Sequence, residues 1–492
     1  MDDTSGSEAE SLFVGRNEVS QSLLVQTRCI TNRRRQMFCV AVSSVATVVL
    51  LAFVFSGGLA IAYFTKPWSV FMQMHMICAL NALENKATVG TLSSQSVQST
   101  ASSVCAKPPL LMISVDGFRQ EYLNRSLNLY LTQLASKGVT AQFMTPAFPS
   151  KTFPNHFTIV TGLYPESHGI VNNNFYDKTL KASFALGGST QNDAKWWLGE
   201  PIWVTAAKQG LRSGVYFWPG SEAPIQGIYP TYYFKYSSST PFAQQVSTVL
   251  GWFDLADDKR PQMMAMYFDE PDGAGHSYGP ASSQVHAAIG NVDAIIESLF
   301  VGLQQRGIED CVNVMIVSDH GMTALDKKKV AYISDYLPSQ YAQGATYPSY
   351  GVNAEINLSN QVAAFNALNQ SATAANAPFK AYLRTNIPSR YHSGTINQQR
   401  FGDIYLIGDL GSYIYPTKSY SPTSYLGNHG YDNQLTDMQS IFVASGPAFK
   451  QGYVHPGFEN IELYNLMCGL LGIVPSPNNG TAGSLNAMLK MQ

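Results

Sequence analysis

"LLMISVDG", Leu110 to Gly117, decides how the chain is read. It is a short apolar run with a single serine, closed by an aspartate and a glycine. It lacks the polar–apolar alternation of a half-exposed strand, and so it fits a strand buried on both faces. The same design returns in "MMAMYFDEPD", Met263 to Asp272, and in "VNVMIVSDHG", Val312 to Gly321. Segments with helical spacing lie around and between these runs, at Leu127 to Lys137, Ile202 to Gln209 and Gln284 to Leu303. "MQSIFVASGP", Met438 to Pro447, reads as a returning core strand. The pattern predicts an α/β fold: a central, mostly parallel sheet flanked by helices. Ligands of such sheets bind beyond the carboxyl ends of the strands, so the acids that close the runs are expected to converge on one edge. Tyr341 to Tyr425, rich in turn residues, reads as a small lobe inserted beside the sheet.

Composition bounds the rest. The chain has 492 residues, is 45% hydrophobic and carries a formal net charge of −2. It can bury a large core, and no basic stripe points to bulk nucleic-acid binding. From Met37 to Phe64 no Asp, Glu, Lys, Arg or His occurs, a length that as a helix crosses a hydrocarbon core of about 30 Å. Arg28 and "NRRR", Asn32 to Arg35, precede this span, while only Lys66 follows closely. The positive-inside rule then places residues 1–36 in the cytosol as a tail and the body outside or in a lumen, at the cell surface or an endomembrane. A cleaved signal peptide, with Ala60-Ile61-Ala62 as its cleavage site, is the alternative reading. Residues 65–107 form an interfacial segment and a Ser/Thr-rich stalk, and 108–492 form the folded body. Glycosylation sequons at Asn124, Asn357, Asn369 and Asn479 and four cysteines (Cys78, Cys105, Cys311 and Cys468) all follow the span. Four cysteines allow three pairings, among which the sequence does not choose.

In "KTFPNHFTIVTGLYPESHGI", Lys151 to Ile170, Thr152 stands two residues before Pro154, and the apolar run stops at Gly162. This places Thr152 at a helix N-terminus, where unpaired N–H groups and a partial positive charge favour phosphate or a forming alkoxide. An N-cap threonine is the ordinary reading of such a position. A hydroxyl needs activation to attack, and a divalent ion is one source of it. Asp116, Asp319 and His320 form one candidate ligand set; Asp272, His276 and His429 form another. Oxygen and nitrogen ligands of this kind suit zinc and also accept manganese or cobalt. His156, four residues after Thr152, is the rival as a general base, a role the metal ligands make unnecessary.

The blocks "SVDGFRQEYL", "KTFPNHFTIVTGLYPESHGIVNN", "GEPIW", "FWPGSEAPIQGIYP", "YFDEPDGAGHSYGP", "VSDHGM" and "NHGYDN" together resemble the ecto-nucleotide pyrophosphatase/phosphodiesterases of the alkaline phosphatase superfamily. The resemblance runs from Pro108 to about Gly469. It implies an alkaline-phosphatase-like sheet and two zinc ions, one on Asp116, Thr152, Asp319 and His320, the other on Asp272, His276 and His429. It also implies Thr152 as nucleophile and Asn173 as the residue holding a non-bridging phosphate oxygen. Expected substrates are nucleotides (ATP, dinucleotides and nucleotide sugars), cleaved to nucleoside 5′-monophosphates. Phe153 and Tyr236 are expected to sandwich the base, with Trp218 and Tyr267 completing the substrate-binding set.

The sequence also departs from the family pattern. It has too few cysteines for the Cys-rich modules of several animal members and ends at Gln492 without a nuclease-like domain. Leu198 stands where some nucleotide-cleaving members carry lysine, which puts one substrate contact in doubt. The alternative is a choline-phosphodiester or lysophospholipid hydrolase on the same scaffold. A sulfatase would need Cys or Ser in a C/S-x-P-x-R pattern at position 152, and a surface receptor using the fold for binding alone would not need the complete ligand set.

Overall fold

The computed structural model describes residues 101–490. The expected tail, span and most of the stalk lie outside the described residues. Residues 101–106 are helical, with Val104 in the core and Cys105 bonded to Cys311. The packed body thus reaches back before Pro108.

Eight strands form the central sheet: β1 Leu110–Val115, β2 Val139–Ala141, β3 Ser213–Tyr216, β4 Tyr232–Phe234, β5 Met263–Phe268, β6 Asn313–Val317, β7 Phe442–Ser445 and β8 Tyr453–His455. Their spatial order is β8-β2-β7-β6-β1-β5-β3-β4. Within it, β1 pairs in parallel with both β5 and β6, Leu110 standing opposite Met263 on one side and Asn313 on the other. Only β7 runs against its neighbours β6 and β2. The apolar runs behave as central strands must: every residue of β1, β5 and β6 is buried. Alternate side chains serve opposite faces. Leu110 and Met112 join a core with the helices Thr152–Thr161, Ile202–Lys208 and Leu463–Leu471; Leu111, Ile113 and Val115 join one with Leu129–Lys137, Phe242–Phe253 and Ser283–Gln305.

The helix Ser283–Gln305 is long and apolar enough to cross a membrane by length and composition. Here Val285, Ile289, Val292, Ile296 and Leu303 form a stripe in the second core, and Ser282 caps the first turn by accepting the Val285 N–H at 3.2 Å. The inserted lobe carries a three-stranded antiparallel sheet, Asn353–Ile356 and Phe379–Leu383 on either side of Ile404–Gly408, with the helix Gln361–Ala374 over its own apolar cluster. Of the cysteines, Cys105 and Cys311 pair, Cys468 is a buried thiol, and Cys78 lies outside the described residues.

His168 closes the short helix Pro165–His168 and is fully buried; its Nδ1 accepts the Ile170 N–H at 3.2 Å, and its Nε2 lies 3.0 Å from the Thr158 hydroxyl. Burial pushes its pKa from 6.5 down to about 3. The unfolded chain therefore binds the extra proton first. The stabilisation is complete above the unfolded pKa and is lost as pH falls towards the folded one. We expect the stability advantage of the wild type over His168→Gln to shrink between neutrality and mildly acid pH in thermal unfolding. An advantage that grows on acidification would contradict a neutral buried ring.

Candidate active site

The acids expected at the strand ends do converge. Asp116 follows β1 directly, Asp319 and His320 lie just beyond β6, and Asp272 opens the helix Asp272–Tyr278 after β5. Gly117 makes the approach possible: at φ 64° it donates its N–H to Asp319 Oδ1 at 3.1 Å, and a Cβ there would lie 2.8 Å from that of Asp272. In the helix Asp272–Tyr278 the four-residue spacing sets His276 Nε2 3.3 Å from Asp272 Oδ2. His429 arrives from the strand Gly427–Asn428, which pairs with Thr323–Ala324. Two groups result, Asp116/Asp319/His320 and Asp272/His276/His429, the donor atoms of each lying within 4.8 Å of one another. The rings of His320 and His429 stack at 3.5 Å and so join the groups.

The hydrogen bonds behind these side chains decide what the groups can hold. His320 Nδ1 lies 2.8 Å from the Gly321 carbonyl, His429 Nδ1 2.9 Å from that of Ser150, and His276 Nδ1 3.0 Å from that of Gly427. A carbonyl only accepts, so each Nδ1 bears the hydrogen and each Nε2 presents a lone pair. The Nε2 atoms of His276 and His429 face one another at 3.2 Å. His320 Nε2 faces Asp319 Oδ2 at 3.0 Å and Asp116 Oδ1 at 3.4 Å, two buried oxygens without a donor. Burial first, and then the neighbouring aspartates, push the carboxyls of Asp116 and Asp319 well above their usual range. Acceptors aimed at acceptors repel unless a cation lies between them. The donor set therefore fits two divalent ions.

Thr152 is the first residue of the helix Thr152–Thr161, and Lys151 holds the N-cap position without a side-chain cap. The threonine hydroxyl is thus not used as a cap; it lies 3.3 Å from His320 Nε2. Asn173 accepts the Phe153 N–H at 2.9 Å through Oδ1, which leaves its NH2 to donate. Arg400 braces this segment from below, pairing with Asp177 at 2.9 Å and donating to the Gly169 carbonyl at 2.6 Å.

His156 does not reach the threonine hydroxyl. Its Nδ1 donates to the Thr152 carbonyl at 2.9 Å, its Nε2 meets the Ser114 hydroxyl at 2.8 Å, and burial lowers its pKa to about 3.

Above both groups opens a cavity of about 840 Å³, lined by Thr152, Phe153, Asn173, Tyr236 and Tyr267 among others. The Tyr267 hydroxyl donates to Asp116 at 2.5 Å and that of Tyr236 to Asp269 at 2.6 Å. Trp218 is a correction to the sequence reading. Its indole is buried under the site, donating to the His156 carbonyl at 3.0 Å, while its neighbour Phe217, with φ 65°, lines the cavity. Leu198, which stands where some nucleotide-cleaving members carry lysine, packs at Gly169 and is not among the residues lining the cavity. Lys151 was missed. Among the described residues it is the one lysine or arginine lining the cavity, and burial lowers its pKa to about 8, partly opposed by Asp272. Its place beside Thr152 was the only available signal.

The sheet thus delivers a buried hydroxyl to two carboxylate–histidine groups whose donor atoms suit a pair of divalent cations. The type I phosphodiesterase / nucleotide pyrophosphatase family model matches residues 110–432, and the chain belongs to that family. It is 42% identical to ectonucleotide pyrophosphatase/phosphodiesterase family member 3 of Bos taurus over 78% of this chain and 44% of that one. It is 43% identical to venom phosphodiesterase of Naja atra over 78% of this chain and 46% of that one. The chain thus spans less than half the length of these relatives. Among solved structures, murine ectonucleotide pyrophosphatase/phosphodiesterase 5, an inactive threonine-to-alanine variant in complex with AMP, superimposes with a TM-score of 0.72 at 33% identity. That match covers 78% of this chain and 100% of the other.

If cations offset the repulsion, their removal must cost stability. Chelator-stripped protein should unfold at a lower temperature, and zinc added at about a thousandfold above its dissociation constant should restore about 4 kcal/mol. His429→Ala should reduce that recovery. An unfolding temperature indifferent to zinc would rule out the two-cation reading.

Proposed function

We propose that the protein is a two-zinc nucleotide pyrophosphatase/phosphodiesterase that forms a covalent threonine intermediate. The observation that carries this reading is the Thr152 hydroxyl at 3.3 Å from His320 Nε2, beside an asparagine whose amide is fixed by the Phe153 N–H. Asp116, Asp319, His320 and Thr152 would hold one ion, and Asp272, His276 and His429 the other. Bound ions supply Lewis acidity that lowers the hydroxyl pKa and offsets charge on the attacking and leaving oxygens. Thr152 Oγ, its proton released to solvent, attacks phosphorus; the bond to the leaving oxygen breaks with its electron pair staying on that oxygen, and a phosphothreonine diester forms. Water then displaces the threonine, restoring its hydroxyl and releasing a nucleoside 5′-monophosphate. Asn173 Nδ2 and the helix N-terminus donate to a non-bridging oxygen throughout. Phe153, packed on Trp197 and Phe184, and Tyr236, fixed through Asp269, offer faces to a base. ATP, dinucleotides and nucleotide sugars all contain the required bond.

Thr152→Ala should lower turnover by about a thousandfold or more while zinc stays bound, because the group that forms the intermediate is gone. Tyr236→Ala should raise KM for ATP more than for a bis-aryl phosphodiester that has no base. Near-normal turnover of the first variant would remove the nucleophile assignment, and equal effects of the second on both substrates would remove the base contact.

We also propose that residues 37–64 anchor the chain as a single-pass type II membrane protein with the body outside or in a lumen. The Cys105–Cys311 bond suits an oxidising compartment, and the sequon residues Asn124, Asn369 and Asn479 are exposed. Protease added to sealed vesicles should then digest only the tail; digestion of the body from the cytosolic side would exclude the topology.

A further inference from the structure

The loop before the nucleophile, Ala147 to Lys151, supplies the carbonyl that orients His429, and a side chain with no part in the scheme above ties that loop down. Asn155 lies fully buried, one turn into the helix Thr152–Thr161. Its Oδ1 accepts the Ala147 N–H at 2.7 Å and an amide hydrogen of Asn460 at 2.9 Å. Its Nδ2 faces three carbonyls, those of Lys151 at 2.9 Å, Pro149 at 3.0 Å and Ala147 at 3.3 Å. A carboxamide has two hydrogens to give and two lone pairs to offer, so its whole capacity is used. The amide can lie only one way round. Reversed, it would set its oxygen against carbonyls and its hydrogens against the Ala147 N–H.

The amide holds the backbone on both sides of Ser150. With the Pro149 and Lys151 carbonyls tied, the direction of the Ser150 carbonyl between them is set. That carbonyl takes the His429 Nδ1 hydrogen at 2.9 Å, and the Ser150 hydroxyl donates to the Tyr431 carbonyl at 2.8 Å. Asn433 adds a bond from its amide to the Pro146 carbonyl at 2.9 Å. The loop and the segment that carries His429 are thereby laid against each other, although Ser150 and His429 are 279 positions apart.

The histidine ligands differ in this respect. His320 is oriented by the carbonyl of Gly321, its own neighbour, and His276 by that of Gly427. Of the three, only His429 takes its direction from the loop. Loosening the loop should therefore disturb one ligand group and spare the other.

We infer that Asn155 is a positioning residue for the second ligand group: through the Ser150 carbonyl it sets the direction of the His429 lone pair, and with it the affinity of Asp272, His276 and His429 for their cation. The inference rests on the two-cation reading above and adds a residue outside the ligand set on which the second ion depends. Asn155 does not line the cavity, so it acts on the site only through the loop. A group that hydrogen-bonds directly to a metal ligand commonly changes affinity by about 10- to 100-fold; Asn155 acts one bond further back, and the low end, about tenfold, is expected.

The test reads zinc binding, not turnover. Full-length protein stripped with a chelator is titrated with zinc against a chromogenic competitor, which gives a dissociation constant for each site; His429→Ala marks the one that belongs to the second group. Asn155→Ala should raise that constant about tenfold and leave the other within about twofold. Asn155→Asp keeps the volume and the acceptor but can give at most one hydrogen. It should shift the same constant in the same direction by less, and it carries the test should the alanine variant not fold. Asp293→Ala is the reference for plain loss of stability, because its carboxylate accepts the Leu131 and Tyr130 N–H groups at 2.8 and 3.0 Å on the helix Leu129–Lys137, away from the loop. It should lower the unfolding temperature and leave both constants alone. An unchanged second constant in the Asn155 variants, or equal weakening of both constants, would overturn the positioning role while leaving the two-cation reading intact. A wild type that takes up fewer than two zinc ions would instead overturn that reading.

Discussion

Three buried or nearly buried carboxylates and three histidine lone pairs point at one another beyond the ends of β1, β5 and β6. Burying one uncompensated charge costs several kcal/mol, so this convergence is destabilising on its own. Partial relief comes from donors placed around it: Gly117 and His320 give N–H groups to Asp319 Oδ1, and the Tyr267 hydroxyl serves Asp116 Oδ2. The remaining oxygens, Asp116 Oδ1, Asp319 Oδ2 and Asp272 Oδ1, have no donor. They are the atoms left for cations. The sheet offsets the cost from below, because each fully buried Leu, Ile or Phe contributes about 1.5–3 kcal/mol and both faces are lined with them. Exposed ion pairs such as Lys195–Asp193 contribute at most about 1 kcal/mol each and do not enter the comparison.

Precision comes from backbone rather than from long side chains. Each histidine is oriented by a carbonyl, and two of those carbonyls, Ser150 and Gly427, belong to segments far apart in the chain. Gly430, at φ 112°, leaves room for the Lys151 stem, which a Cβ would meet at once. Thr152 inherits its position from a helix start whose N-cap position is held by Lys151, with no side-chain cap. The hydroxyl is therefore free of local bonding and turned to His320.

What could be read from the sequence follows the same division between local and long-range causes. Fully apolar runs closed by acids have few physical interpretations, and β1, β5 and β6 stand where those runs were. The helices expected at Ile202 to Gln209 and Gln284 to Leu303 were found at Ile202–Lys208 and Ser283–Gln305, since their periodicity is a local property. The ligand types were legible and their grouping followed from strand ends. Trp218 was misplaced because a motif gives a residue's neighbourhood and not its direction: the left-handed backbone at Phe217 turns that ring to the cavity and the indole inward. Lys151 needed burial to be noticed, and the pairing of Cys105 with Cys311 needed distance. The tyrosines on the lobe side of the cavity could not be read at all. Tyr350, Tyr413 and Tyr425 become neighbours only through the lobe, where Tyr413–Tyr415 pairs with Val330–Tyr332 and Gly351 bridges to Ile414.

The cavity's own charge fixes an order of events. Asp116, Asp272, Asp269 and Glu222 line it against a single lysine, so without cations its field opposes an anionic phosphodiester. A pair of unit charges about 4 Å apart interacts by about 1 kcal/mol in water and about 4 kcal/mol in the effective dielectric of a protein surface. Several such pairs outweigh one lysine, and two divalent cations reverse the balance. The groups that would hold the ions for chemistry are thus the same groups that would make the cavity attractive to phosphate. Selectivity among phosphates must then come from elsewhere, because the ions recognise any of them. In this cavity such selectivity can draw on the rings of Phe153 and Tyr236 and on the asparagines, Gln191 and Lys151 that share the lining with them.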